Sequence, residues 1–498
     1  MNKMATLYRM FCVVMALATG LTVAAPVRGQ EGAATPPSKV ERKNRAPVAR
    51  NILSVKLPKP VEAKLKNGLT VLIIEDHRAP FISMQLHVSG AGGLFEPTAM
   101  TGLASVTAQM LREGTKNKNS IQLAEEIDRM GASVGASSSF GSSDTVLSAS
   151  GLSDNFDDWM AIAFEILLDP SFANDELEKL KQRLRVQLRE QRSNANFLLS
   201  ERFNRAVYGD HPAANVSVTA ESLDRLTQDA LRKWHRERYA PQNSILGIAG
   251  DVRAKDLIAK LEKRLAGWKK SDLKPALPRD PQAVSARKVF LVHRPNSVQT
   301  TVSLGNIAID RRSPDYMSMV VMNDVIGGGA SARLFLNLRE EKGYTYGVYS
   351  DFTALRYPGP WRAGGNMRTE VTEGALVEFF NEIRRIRDEK IPLSELEESK
   401  RSIIASFALS LEQPSRVLSF AIARKLYDLP ADYWDVYAAK IAAVTVADVQ
   451  RVARKYLDPD KIQIAAVGDA GKIKAILEKY GAVEVYDSGG KPLLPGKS

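Results

Sequence analysis

The 498-residue chain predicts an α+β protein made of two homologous domains, and three observations carry that reading. The same order of strand, helix and closing signals occurs twice at a lag of roughly 200 residues, which suits a duplicated domain and is too long for a solenoid repeat. Each copy closes on a helical stretch and an apolar run that stops at Gly-Asp, residues 231–239 then 245–251 in the first and 449–456 then 462–469 in the second. Between them, residues 269–286 mix charges with Pro275, Pro278 and Pro281, the composition of an extended, hinge-like linker.

Taken in chain order, residues 1–30 read as a signal peptide. Lys3 and Arg9 precede an apolar run over 10–25, followed by Pro26 and Arg28, with cleavage expected between Ala25 and Gln30. The run is broken by Thr19, Gly20 and Thr22 and falls short of the ~20 residues a span needs, so a retained anchor is the weaker alternative. Cys12, the single cysteine, sits inside that run rather than after it, which argues against lipid attachment and leaves no thiol for a disulfide in the mature chain. Residues 31–54 lack periodicity and read as a disordered leader, as does the tail over 488–498. The ~440 residues between exceed one core and suit two domains, 55–268 and 287–487.

The first domain opens with strands at 68–75 and 81–88, the second with strands at 287–293 and 298–305, and each pair reads as paired strands. An apolar helix, an alternating Ser/Thr/Gly stretch and long helices follow in both. The strongest helix signal places Leu177, Leu180, Leu184 and Leu188 on one face after the cap candidates Asn174 and Asp175, with Glu190 on the polar flank.

Composition excludes more than it selects. The formal charge of +12 falls to +9 once Lys3, Arg9 and Arg28 leave with the signal, and the remaining cations interleave with Asp and Glu as on solvated helix faces, which disfavours nucleic-acid binding. The five histidines, His77, His87, His211, His235 and His293, include no pair at i,i+4, so the chain offers no zinc helix of its own. Gly131-Ala132-Ser133-Val134-Gly135 spells G-x-S-x-G, yet a helical stretch precedes it and a strand follows, the reverse of a nucleophile elbow.

Function is read from two segments. Gly92-Gly93-Leu94-Phe95-Glu96, Gly102-Leu103-Ala104 and Glu113-Gly114-Thr115 frame residues 102–111, and in this framing the chain resembles the pitrilysin-like (insulinase, M16) metallopeptidases. In that family the frame encloses H-x-x-E-H, whose histidines grip zinc while the glutamate activates water. The resemblance puts the two histidine positions at Ser105 and Gln109, the general base at Ala108, and the third ligand at Glu190. Ser105, Ala108 and Gln109 can neither bind the metal nor activate water. A substrate-holding asparagine of the family's edge strand falls at Gly135.

The second segment keeps its motif. Gly327-Gly328-Gly329 and then residues 333–350 match the family's C-terminal signature, and the resemblance implies that Arg339 and Tyr346 lean toward a zinc site and bind the scissile segment, where a guanidinium and a phenol stabilise a developing oxyanion. Read locally, an arginine at a helix end faces solvent and a strand tyrosine packs. The glycine triplet lacks the Gly-Lys-Ser/Thr of a phosphate loop and suits close packing.

The resemblance therefore implies two pitrilysin-like domains forming a half-clamshell. It also implies the non-catalytic, substrate-binding subunit of a periplasmic heteromeric zinc peptidase, with no cofactor in this chain and zinc in a homologous M16 partner. Two alternatives stand beside it: an inert scaffold like the family's core subunits in respiratory complexes, and a stand-alone peptide-binding protein or chaperone that uses its sheet edges.

Overall fold

The structure, a computed structural model, describes residues 56–273 and 278–493. The expected signal peptide and leader lie outside the described residues. The first sheet contains β1 (Val61–Lys64), β2 (Thr70–Glu75), β3 (Phe81–Ser89), β4 (Ser133–Ser137), β5 (Asp144–Leu152) and β6 (Ser244–Gly250), in the order β1-β2-β6-β3-β5-β4. The second contains β7 (Val289–His293), β8 (Gln299–Ile309), β9 (Thr345–Ala354), β10 (Pro358–Arg368), β11 (Gln463–Gly468) and β12 (Val483–Tyr486), in the order β12-β7-β11-β8-β10-β9. The two orders superimpose strand for strand except at one edge. There the first sheet uses the N-terminal strand β1, antiparallel to β2, and the second uses the C-terminal strand β12, parallel to β7.

The opening strands of each half are not hydrogen-bonded to one another, as their adjacency in sequence suggests. The closing strand inserts between them: β6 runs parallel to β2 and antiparallel to β3, and β11 does the same between β7 and β8. The reason is burial on both faces. β11 is buried along its whole length and β6 at six of its seven positions, and such strands belong in the middle of a sheet, whereas the alternating β3 has one face to spare.

Helices of the first half are α1 (Leu103–Met110), α2 (Ser120–Arg129), α3 (Phe156–Leu168), α4 (Asn174–Gln191), α5 (Ala195–Tyr208), α6 (Ala220–Arg225), α7 (Gln228–Arg238) and α8 (Ala254–Arg264). Those of the second are α9 (Tyr316–Gly327), α10 (Arg333–Phe335), α11 (Thr372–Asp388), α12 (Leu393–Ser410), α13 (Pro414–Leu426), α14 (Tyr437–Ala442), α15 (Val446–Tyr456) and α16 (Ala470–Glu478). Leu177 and Leu180 of α4 are buried as their spacing requires, but Asn174 and Asp175 lie inside the first turn and the cap position is Ala173, without a side-chain bond. There, with Glu176, Asp175 supplies negative charge to the helix N-terminus instead.

Each half lends a helix to the other. Val417, Leu418, Ala421 and Ile422 of α13 pack on Leu72, Ile74 and Ala249 of the first sheet. Reciprocally, Leu198, Phe203 and Val207 of α5 pack with Val292, Val467 and Ala465 of the second. Fully burying one such side chain stabilises by roughly 1.5–3 kcal/mol, so the two exchanged helices together bind the halves by many kcal/mol. The linker is strapped as well: Arg279 donates to the Asp210 carbonyl at 2.7 Å, and Gln242 to that of Ser271 at 2.6 Å. The exchanged helices tie the halves together independently of the linker expected from its prolines. Beyond β12, residues 488–493 of the expected disordered tail turn back, with Leu493 N–H donating to Val485 and the Asp487 amide to Lys491.

Candidate functional site: one motif lost, one kept

Helix α1 starts at Gly102, whose φ of 96° and whose absent Cβ, which would stand 2.3 Å from Val218 Cγ1, leave no alternative residue. Its first turn is capped from upstream. The Glu96 carboxylate accepts the Gly102 N–H at 2.8 Å and the Ala104 N–H at 2.6 Å. Burial pushes this carboxyl up to about 7, against the pull of the two amide bonds. In the sequence Glu96 is only a register mark, because a lone acid six residues before a glycine carries no capping signature.

The positions that resemblance assigns to metal ligands share a face of α1, and they bond to each other: Gln109 Nε2 donates to Ser105 Oγ at 3.2 Å. Ala108, at the general-base position, is fully buried. Glu190 sits near the end of α4, exposed, and its backbone carbonyl accepts from the Ser193 N–H at 3.0 Å and from Ser193 Oγ at 2.7 Å. Among the described residues no group of three or more His, Cys, Asp or Glu could hold a metal. The donor set of a hydroxyl, a methyl and an amide does not fit zinc, and no chemistry is routed through a metal in this chain. At Gly135, on the edge strand β4, a Cβ would meet nothing within 4 Å, so a longer side chain is missing there without a steric reason. Ser133 lies exposed at the start of the same strand, after a helix, as its context predicts.

Arg339 and Tyr346 belong to the edge of the other sheet. Arg339 lies in a π-helical turn, Leu336–Glu341, a rare form that is frequent at functional sites. That turn is pinned from below by the buried Leu334 and Leu338. Asn337 Nδ2 donates to Glu378 and Glu382 at 2.9 and 2.8 Å, and Arg333 makes a two-pronged pair with Glu395 at 2.8 and 2.7 Å. Above it, the exposed Arg339 guanidinium stacks over the Phe335 ring at 4.7 Å, and Phe335 in turn meets Tyr349 at 5.6 Å.

Tyr346 is 90 % exposed. It sits where β9 carries one residue more than β10, between the pairs Thr345–Met367 and Val348–Gly365. A bulge of this kind re-aims a side chain at a sheet rim. Thr345 clasps it, its hydroxyl accepting the Gly347 N–H at 3.1 Å and donating to the Asn366 carbonyl. The glycine triplet serves this strand: a Cβ on Gly327 would lie 2.5 Å from Ser350 Oγ, so α9 reaches β9 only with glycine there. Asn323 then accepts from Ser350 Oγ at 2.8 Å and from Trp361 Nε1 at 3.0 Å, locking α9 to β9 and β10. Both Arg339 and Tyr346 thus project from a fixed platform and are exposed. The bulge and the π-turn were invisible in sequence, because both arise from register rather than composition.

Comparison with known proteins gives the following. Residues 70–220 match the family model described as insulinase (peptidase family M16), and residues 225–403 match the one described as the peptidase M16 inactive domain. An uncharacterized zinc protease of Rickettsia bellii is 26 % identical over 360 residues, covering 70 % of this chain and 84 % of that protein. The non-peptidase homolog YmxG of Helicobacter pylori is 22 % identical over 408 residues, covering 81 % and 93 %. Among solved structures, the peptidase M16 inactive domain from Pseudomonas fluorescens is 28 % identical with a TM-score of 0.76, covering 82 % of this chain and 98 % of that one. A protease from Helicobacter pylori, 21 % identical with a TM-score of 0.76 over 83 % and 100 %, shares the fold.

Proposed function

We propose a function from one premise: the chain belongs to the M16 peptidase family, the insulinase or pitrilysin-like group, with a match to each of two M16 domain models. We infer that Ser105, Ala108 and Gln109 stand where the zinc motif of the first would be. On our reading it is the non-catalytic, substrate-binding subunit of a periplasmic heteromeric peptidase. Its partner is a homologous M16 chain that carries the zinc, and its substrate is a peptide.

The observation that carries this reading is the asymmetry between the two motifs. A chain kept only for its fold has no reason to hold an arginine on a pinned π-turn and a 90 % exposed tyrosine on a clasped bulge. Groups that stabilise charge in a transition state work by being fixed before the reaction, and both supports meet that need. The Arg339 guanidinium offers planar donors and the Tyr346 phenol one more. Aimed at a peptide carbonyl, they hold the scissile segment and favour its developing oxyanion. The scaffold alternative leaves that exposed tyrosine unexplained.

The direct test on the chain alone is metal analysis by mass spectrometry together with a peptidase assay. The expected result is no stoichiometric zinc and no cleavage. One equivalent of tightly held zinc, lost on changing Glu190, overturns the reading.

A further inference from the structure

His211 stands where the first half, the linker and the second half meet, and neither motif uses it. It follows the end of α5 and is only 3 % exposed. Its ring centre lies 5.7 Å from that of Tyr208 and 4.9 Å from that of Tyr357, a residue of the β9–β10 turn. Tyr357 in turn donates its hydroxyl to the Gly141 carbonyl of the first half at 2.7 Å.

Both ring nitrogens are engaged, and their partners fix the tautomer. Nε2 lies 2.9 Å from the Arg279 carbonyl of the linker, which can only accept, so Nε2 carries the proton. Nδ1 accepts the Ala213 N–H at 3.2 Å, so Nδ1 is bare. Geometry thus holds the ring neutral, and a second proton would set an N–H against the Ala213 N–H in a buried place. The charged groups around the ring do not repair this. The Arg279 guanidinium is a like charge, held at the Asp210 carbonyl at 2.7 Å, and the Asp210 and Asp280 carboxylates are exposed. Tyr208 and Tyr357 are buried phenols whose ionisation burial pushes up. Burial likewise holds the imidazole below its ordinary 6.5, against the pull of the Arg279 carbonyl and of Asp280.

The same ring fastens the linker. Arg279 is tied to the first half by its carbonyl on His211 and its guanidinium on Asp210, and residues 279–284 and the end of α5 line a cavity of about 380 Å3. We propose that His211 is an acid-operated latch: on taking a second proton the ring leaves its site, the Arg279 carbonyl loses its donor, and residues 278–284 come away from the first half. A charge-assisted bond from Nε2 recovers less than an unpaired buried cation costs, so the protonated ring does not stay. The exchanged helices α5 and α13 keep the halves joined, and the linker alone becomes accessible. The proposal is independent of any role for Arg339 and Tyr346.

The test is hydrogen exchange by mass spectrometry on the full mature chain between about pH 7.5 and about pH 5, each peptide corrected for the chemical rate at its pH. The linker peptide over 278–287 is expected to lose protection by roughly tenfold or more, with a midpoint below 6.5, while peptides covering β2 and α13 keep theirs. His211→Gln cannot take the proton, and its linker should show one level of protection across the range. Asp280→Asn leaves both ring bonds in place and removes a carboxylate that favours the cation, so it should lower the midpoint, which keeps the test decisive where His211→Gln disturbs packing. Histidine-selective 15N NMR should show His211 protonated at Nε2 at neutral pH. A linker whose protection does not change with pH, a full pH response retained in His211→Gln, a midpoint unmoved in Asp280→Asn, β2 and α13 opening together with the linker, or an Nδ1-protonated ring overturns the proposal.

Discussion

The two halves share a strand order but carry their candidate functional segments at different places and in opposite ways. In the first half, α1 keeps its glycine start and its buried Glu96 cap, while the ligand positions Ser105 and Gln109 bond to each other and Ala108 is packed away. In the second, Arg339 and Tyr346 are presented to solvent from supports that reach deep into the helices behind them. The difference teaches that the placing of a helix and the chemistry of its side chains are set separately. Residues that position a helix are held by burial and backbone geometry, whatever side chains occupy its remaining positions.

The largest effect that sharpens this comparison is kinetic. In a complex with a zinc-bearing homologue, Arg339→Ala or Tyr346→Phe is expected to lower kcat/KM by ~10²–10³, about 3–4 kcal/mol, with assembly and zinc content unchanged. Arg401→Ala, an exposed arginine on α12, is the reference and should stay within about 0.5 kcal/mol. Arg333, the nearest arginine in sequence, is unsuitable as a reference because its side chain is buried in the pair with Glu395.

Next in size is a pH effect on the first half. Glu96 titrates at about 7 in the folded chain against 4.5 for the free group, so its contribution to stability is fully present below about 4.5 and is lost as pH rises through about 7. At 1.36 kcal/mol per unit the whole span is roughly 3 kcal/mol. Glu96→Gln should lose about 1 kcal/mol at pH 5, having one acceptor oxygen for two amides, yet show a flatter denaturation midpoint between pH 5 and pH 8. His235 sets the opposite slope. Burial holds it near 4 against 6.5, so its contribution is present above 6.5 and is lost as pH falls from 6.5 through 4.

Smaller still is the cost of loosening the support in the second half. Arg333→Ala should destabilise by roughly 2–3 kcal/mol by urea denaturation, less than for a fully buried pair because the Glu395 side chain is 30 % exposed. Because the π-turn rests on that pair, the variant should also lower kcat/KM in the complex, with kcat falling and KM rising. The smallest effect belongs to the lost motif: Ser105→Ala with Gln109→Ala should change stability by less than about 1 kcal/mol and leave the activity of the complex untouched. A large loss of activity there would break the comparison, since it would return a role to the silent helix.

Much of this was legible in the sequence. The duplication and the two closing strands ending at Gly-Asp follow from local patterns, whereas Ser105, Ala108, Gln109 and the pair Arg339 and Tyr346 are singled out only by the family resemblance. Strand order was not, because insertion of β6 between β2 and β3 depends on a strand buried on both faces finding the centre of its sheet. The exchange of α5 and α13 was also hidden, since an apolar stripe such as Val417, Leu418 and Ile422 says that a helix is buried but not against which half. Glu96 and the Thr345 clasp escaped for a related reason: their partners are backbone amides, which carry no sequence signal.

The central claim is that this chain completes a peptidase it cannot be by itself. The measurement that tests it most directly is cleavage of a fluorogenic peptide library by the mature chain, by a homologue with H-x-x-E-H intact, and by the two mixed, with zinc counted in each sample. The account predicts cleavage by the mixture well above the sum of the separate activities, one zinc per pair, and a complex that elutes as a single species. Two chains that elute apart, with activity unchanged on mixing, contradict it.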